Sequence, residues 1–293
     1  MIDKLILGTV QLGLPYGINN KEGQPSPLKA QAILKKAFEC GIRHLDTAEA
    51  YGSSQQIIGQ YHRQADPLKH FNVITKYAER EKPLTSGQLY HFFLDNLTIL
   101  GIEGLESYLF HSFESYRMFN HWEVFEKLMK ENKLRSVGVS VYTNAQAGAA
   151  AVDPRVQVVQ LPFNMLDNNS HRAAVLNTLK EKGKEVHARS AFLQGLFFKD
   201  RKGLGRLEPL GEGLARLDRI ATGNGLDTGT MALAYCLRQP LIDKVLIGVE
   251  TEDQLGDNIA SAEKAKSVDK KLLEEIDGIR VGAVELLNPV NWK

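Results

Sequence analysis

The sequence predicts an α/β protein built as one (β/α)8 barrel, the TIM-barrel class, with residues 1–293 forming a single domain. Short β-branched and apolar runs alternate with longer amphipathic stretches, giving eight successive strand–helix units. The runs are continuously apolar instead of alternating, as strands buried on both faces require. A length of 293 residues suits one barrel of about 250 residues with a short extension.

The first unit joins a strand over 5–9 to a helix over 28–40, which Gly41 ends. A strand over 44–47 precedes a helix over 54–62, and one over 72–76 precedes 85–100, closed by Gly101. Strand 107–110 leads to helix 122–132, where Trp122 and Phe125 are spaced to pack on the barrel, as are Phe92 and Phe93 before them. Next come strand 136–140 with helix 144–151, and strand 156–161 with helix 170–182. Strand 185–188 is followed by helices 210–223 and 230–238, the second stopped by Pro240. Strand 244–247 and helix 251–264 complete a barrel over about residues 4–265. An extra helix over 269–278 and a tail to 293 lie beyond it, the tail either crossing the pocket or lying clear of it.

Composition narrows the functions. Lys and Arg number 36 against 35 Asp and Glu, so no basic surface marks a nucleic-acid or acidic-membrane partner. No run approaches the ~18 apolar residues of a membrane span. Met1-Ile2-Asp3-Lys4-Leu5 lacks a secretory n-region, so the expected compartment is the cytoplasm. Cys40 and Cys236 read as reduced core residues. The histidines show no metal-ligand spacing, and Gly203-Leu204-Gly205-Arg206-Leu207-Glu208 reads as part of a long loop, not a dinucleotide fingerprint.

In such barrels the chemistry lies at the C-terminal strand ends. There the sequence puts Asp46, then Tyr51 in the loop 46–52, Lys76 on the third strand, His111 after the fourth, Ser140 on the fifth and Gln160 on the sixth. Singly, each has a bland reading: a loop-capping aspartate, a satisfied core histidine. Lys76 also admits Schiff-base chemistry. As a set they read as a coupled acid. A buried phenol, with an ordinary pKa near ~10, is a poor proton donor at neutral pH. An ammonium at ~4 Å in an effective dielectric of ~20 favours the phenolate by up to about 4 kcal/mol. Lys76 would lower Tyr51 in this way, Asp46 would keep Lys76 charged, and His111 would point an N–H at the substrate oxygen.

These residues resemble the aldo-keto reductase superfamily over nearly the whole chain. The matching pieces are Leu7-Gly8-Thr9, Leu45-Asp46-Thr47-Ala48-Glu49-Ala50-Tyr51-Gly52, Thr75-Lys76, Leu109-Phe110-His111 and Gly138-Val139-Ser140. They continue with Gln160 and Asn164, Arg189-Ser190, Gln194-Gly195-Leu196, and Leu246-Ile247-Gly248 with Asn258. The resemblance implies an enzyme moving a hydride between a nicotinamide cofactor and a small carbonyl or alcohol: an aldehyde, a ketone or a sugar-like compound. It implies a tetrad of Tyr51 as general acid/base, Lys76 and Asp46 tuning it, and His111 orienting the carbonyl. Asp46 also counts toward the cofactor cleft. Ser140 and Gln160 would hold the carboxamide, and Arg189, Ser190, Gln194 and Gly195 would line the nicotinamide and pyrophosphate. Gly8, Thr9 and the segment with Gly248, Gln254 and Asn258 would complete the cleft.

Three positions depart from the family pattern. Val141 replaces an Asn, Arg189 a stacking Tyr, and Val10 a Trp. NADPH is the family default, yet Gly248 and Gln254 replace the cations that grip its 2′-phosphate, with Glu250, Glu252 and Asp253 close by. NAD-leaning or relaxed specificity is the resulting expectation. Two other readings stay open: a cofactor-binding regulatory subunit similar to potassium-channel β-subunits, and a Schiff-base lyase, against which the spacing of Asp46 and Tyr51 argues.

Overall fold

The structure, a computed structural model, describes residues 1–20, 22–80, 82 and 84–292. Eight parallel strands close into a barrel in sequence order, each bonded to the next and the eighth to the first. They are β1 (Leu5–Gly8), β2 (His44–Asp46), β3 (Asn72–Tyr77), β4 (Leu105–Phe110), β5 (Leu134–Ser140), β6 (Val158–Pro162), β7 (Glu185–Arg189) and β8 (Lys244–Gly248). Around them lie α1 (Val10–Gly13), α2 (Pro27–Glu39), α3 (Ser54–Gln64), α4 (Ser86–Leu100), α5 (Phe113–Met118) and α6 (Trp122–Lys130). α7 (Asn144–Val152), α8 (Asn169–Glu181), α9 (Gly211–Gly223), α10 (Thr228–Leu237), α11 (Glu252–Lys264) and α12 (Lys270–Asp277) complete the shell. The expected (β/α)8 class is the observed one. The short helices α1 and α5 differ from the sequence reading, because one turn and a half carries too little apolar periodicity to announce itself.

Local chemistry sets the helix ends. Pro27 opens α2 behind an N-cap Ser26 whose hydroxyl accepts the Lys29 N–H. Thr85 with Gln88, and Thr143 with Gln146, form reciprocal capping boxes on α4 and α7. Gly101 ends α4 at φ 65°, a left-handed residue that glycine adopts without penalty.

Side chains of period two divide the barrel wall into two faces. Outward ones pack with the helices into the main core, Phe93 and Phe125 included, while Phe92 and Trp122 are only partly buried. Inward, Ile6, Ile74, Leu109 and Val158, with Leu246, fill the barrel as an apolar plug. Two residues further along the same faces come Gly8, Lys76, His111, Gln160 and Gly248, and the register Gly8↔Asp46 brings Asp46 to that level. The candidate site therefore sits on a solid floor at the C-terminal end. Cys236 is fully buried, whereas Cys40, at the C-cap of α2, is only partly covered and is not a core residue. No helix among the described residues is long and apolar enough to cross a membrane.

After α12 the tail runs back over the loop that follows β6. Asn168 donates to the carbonyls of Ile276 at 2.8 Å and Ile279 at 2.9 Å, and Trp292 Nε1 to Leu286 at 2.7 Å. Among the described residues, no hydrogen bond of the tail reaches Tyr51, Lys76 or His111.

One buried histidine sets an acid limit on this fold. His62 in α3 donates from Nδ1 to the Leu100 carbonyl at 2.7 Å and accepts the Phe71 N–H on Nε2 at 3.2 Å. Both nitrogens are used by the neutral ring, and a proton on Nε2 would face another donor. Burial lowers its pKa to about 4. The unfolded chain, with histidine near ~6.5, binds more protons below that value, so stability falls as pH drops from about 6.5 to about 4. The cost for this 1% exposed ring is about 3 kcal/mol at the acid end. His62→Gln is expected to flatten the fall in Tm across that window; an unchanged slope would contradict this role.

Candidate active site

Asp46 and Lys76 are 2% and 1% exposed, a buried pair that needs full satisfaction. Lys76 Nζ donates to Asp46 Oδ1, to the Thr47 carbonyl at 3.1 Å and to the Tyr51 hydroxyl at 3.4 Å. The second carboxylate oxygen of Asp46 accepts Gln160 Nε2 at 2.8 Å. The Asp46 carbonyl takes both the N–H of Thr9, at 2.9 Å, and its hydroxyl, at 3.0 Å. Ser54 Oγ, itself 3.0 Å from Thr47 Oγ1, donates to Thr9 Oγ1 at 2.7 Å.

Tyr51 and His111 are half-buried at the mouth, their rings edge-to-face at 5.6 Å. Two glycines set the height of Tyr51. A Cβ on Gly13 would lie 1.9 Å from the Tyr51 carbonyl, and one on Gly52, at φ 53°, 2.4 Å from the Gly13 carbonyl. Only bare backbone fits there.

Electrostatics divides the tasks. Burial works against the Lys76 charge, but Asp46 and Tyr51 outweigh it and hold the ammonium above its usual pKa. Burial likewise keeps His111 neutral, with a pKa of about 4, helped by the Lys76 charge. Tyr51 corrects the sequence expectation. Burial raises its pKa above the ordinary phenol value, and Lys76 offsets only part of the rise because Asp46 opposes it. The phenol thus keeps its proton at neutral pH.

The remaining predicted residues ring the same mouth. Ser140 stands beside Gln160 in the β5–β6 register. Its hydroxyl and the Gln160 carbonyl oxygen have no hydrogen bond to the described residues. Arg189 ends β7, stacks 4.1 Å over Tyr142 and donates to the Val141 carbonyl at 3.2 Å and Ser190 Oγ at 3.4 Å. Ser190, Leu193, Gln194 and Gly195 all have left-handed backbone. Gln194 donates to the Tyr16 hydroxyl at 2.6 Å and accepts the Ile18 N–H at 3.2 Å, latching the β7 loop to the β1 loop. Gly8 faces Gly248 across the β1–β8 seam, where the Gln11 amide fills the space a Gly248 side chain would need.

Two predicted residues, Thr9 and Gln254, and the family-matching Asn164 are committed elsewhere. Thr9 is fully buried in its bonds to Asp46 and Ser54. Asn164 Oδ1 accepts the N–H groups of Leu166 and Asp167, shaping the loop after β6. The Gln254 side chain accepts the Glu250 N–H at 2.7 Å and donates to its carboxylate at 3.2 Å. Asn258 lies half-buried nearly two turns into α11. Sequence reasoning missed the Thr9–Ser54–Thr47 hydroxyl chain and Tyr16; clustered hydroxyl residues at strand and helix ends were the signal for the first. A cavity of about 450 Å³ lies at the opposite barrel end among Phe71, Asn72, Glu106 and Arg135 and shares no residue with this cluster.

A parallel barrel whose buried ammonium–carboxylate pair meets a phenol and an imidazole at its C-terminal mouth is built as a barrel enzyme. The chain belongs to the Aldo/keto reductase family, whose model matches residues 4–280, and it is an oxidoreductase of that family. It is 24% identical to the L-glyceraldehyde 3-phosphate reductase of Escherichia coli over 93% of this chain and 90% of that one. A 109-residue stretch, 36% of either chain, is 34% identical to the 9,11-endoperoxide prostaglandin H2 reductase of Trypanosoma cruzi. In fold it resembles the holo form of aldo-keto reductase AKR11C1 from Bacillus halodurans, with a TM-score of 0.74 and 20% identity over 94% and 91% of the two chains.

Proposed function

We propose that this protein, as one barrel domain, transfers a hydride between a nicotinamide cofactor and a small aldehyde, ketone or sugar-like substrate. Tyr51 serves as the general acid/base. The convergence of Tyr51, Lys76, Asp46 and His111 carries this reading. The residues at the mouth suit the cofactor: a free hydroxyl on Ser140 and a free carbonyl on Gln160 match the donor and acceptor of a carboxamide. The cofactor supplies the hydride. His111, neutral, offers an N–H to the carbonyl oxygen and orients it. Tyr51 then gives that oxygen its proton, and the Lys76 ammonium steadies the phenolate left behind. Asp46, braced by Gln160 and Thr9, keeps Lys76 charged throughout. Screening carbonyls and alcohols by the absorbance of reduced cofactor tests this reading. Turnover on some carbonyl is expected; tight cofactor binding with none across the screen would favour a regulatory subunit.

The segment after β8 supports NAD-leaning or relaxed cofactor choice. Gln254 is spent on Glu250, and exposed Glu252 and Asp253 fill the first turn of α11. A 2′-phosphate there would meet these carboxylates, with Lys36, whose Nζ is spent on the Glu252 carbonyl at 2.7 Å, as a neighbouring cation. Each absent charged hydrogen bond is worth about 1.5–3 kcal/mol. Gln254→Arg is therefore expected to raise the NADPH over NADH ratio of kcat/KM by roughly tenfold or more. A wild-type preference for NADPH above about a hundredfold would contradict the reading.

A further inference from the structure

We propose that Glu49 is a positioning residue for Tyr51, an inference that rests on the acid/base reading above. Glu49 lies between Asp46 and Tyr51 in the loop after β2, but its side chain runs into the layer between barrel and helices, 6% exposed. Both oxygens are fully used. Oε1 accepts the Tyr108 hydroxyl and Asn96 Nδ2 at 3.4 Å; Oε2 accepts the Ala78 N–H at 3.1 Å and the Arg80 guanidinium at 2.9 Å. The Glu49 N–H donates to the Lys76 carbonyl at 3.2 Å. One residue thus ties the Tyr51 loop to β4, to α4 and to the chain leaving β3.

Tyr51 has no comparable anchor of its own. Its hydroxyl meets Lys76 at 3.4 Å, the long end of a hydrogen bond, and its backbone bonds are short-range, to Ala48 in the loop and to Ser54 at the start of α3. The Gly13–Gly52 contact holds one side of the loop and Glu49 the other. A buried carboxylate is costly for the fold unless every lone pair is met. Here four donors from three elements meet it, so a small change at Glu49 displaces the phenol relative to Lys76.

Glu49→Gln keeps the shape but turns one oxygen into an NH2 group facing the Ala78 N–H and Arg80, or Tyr108 and Asn96. A displacement of about 1 Å at a reacting group costs up to about a hundredfold. The variant is expected to lose about ten- to a hundredfold in kcat, with cofactor Kd and substrate KM within about threefold. Its kcat–pH limb for Tyr51 should move to higher pH. The groups facing Tyr51 (Lys76, Asp46, Arg189, Tyr16, His111) and those facing Glu49 (Arg80, Tyr77, Tyr108) are otherwise unaltered. Tyr108→Phe removes one donor only and should show the same pattern at smaller amplitude; it decides the matter should Glu49→Gln fail to fold. Lower Tm with unchanged kcat and pH limb in the folded variants would overturn the proposal. Near wild-type turnover in Tyr51→Phe would instead overturn the acid/base reading beneath it.

Discussion

Tyr51→Phe is expected to lower kcat by about 10²–10⁴-fold while leaving cofactor affinity nearly unchanged. The substitution removes one oxygen at the mouth. Among the described residues that oxygen makes a single hydrogen bond, to Lys76, and phenylalanine keeps the ring against His111, so the barrel pays little in stability. The loss falls on the proton alone. Because burial holds the Tyr51 pKa above the ordinary phenol value, the proton is present throughout the neutral range. Carbonyl reduction should then persist at neutral pH, whereas alcohol oxidation, which needs the phenolate, should climb as pH rises into the alkaline range. Stopped-flow traces of cofactor oxidation, beside fluorescence titration of the cofactor, separate chemistry from binding.

Lys76→Met is expected to abolish activity to a similar degree and to cost stability as well. Among the described residues the ammonium is the one cation bonded to Asp46, within a 2% exposed site. Removing it strands a buried carboxylate that keeps only the Gln160 N–H, a change worth about 3–5 kcal/mol. It also withdraws the hydrogen bond by which Lys76 offsets the burial of Tyr51. Reduced activity at full thermal stability would show that the pair is not the electrostatic unit described. Lys76→Met with Asp46→Asn should recover part of the lost Tm without recovering kcat, since the stranded charge is gone but the ammonium is not restored.

The barrel and the convergence of the four side chains were legible because both follow from periodicity. A strand of period two lifts Lys76 above Ile74 and His111 above Leu109, and the order of polar strand ends does the rest. Helix ends marked by Gly41 and Gly101, both with left-handed backbone, were legible for the same local reason. What stayed hidden depends on partners distant in sequence. Nothing near Gln160 shows that its amide is spent on Asp46. The direction of the Tyr51 shift was misjudged because the cost of burial depends on what packs around the phenol, while spacing shows only that Lys76 is near. Cys40 was read as core from an apolar stretch, yet its position at a helix C-cap leaves it partly covered.

Whether phenol and ammonium act as one device is tested most directly by a double-mutant cycle in single turnover, with Tyr51→Phe, Lys76→Met and the combined variant compared at saturating cofactor. A shared proton-donating unit predicts that the combined variant is about as slow as the slower single one. Losses that multiply instead, each substitution taking its full toll in the presence of the other, would contradict it.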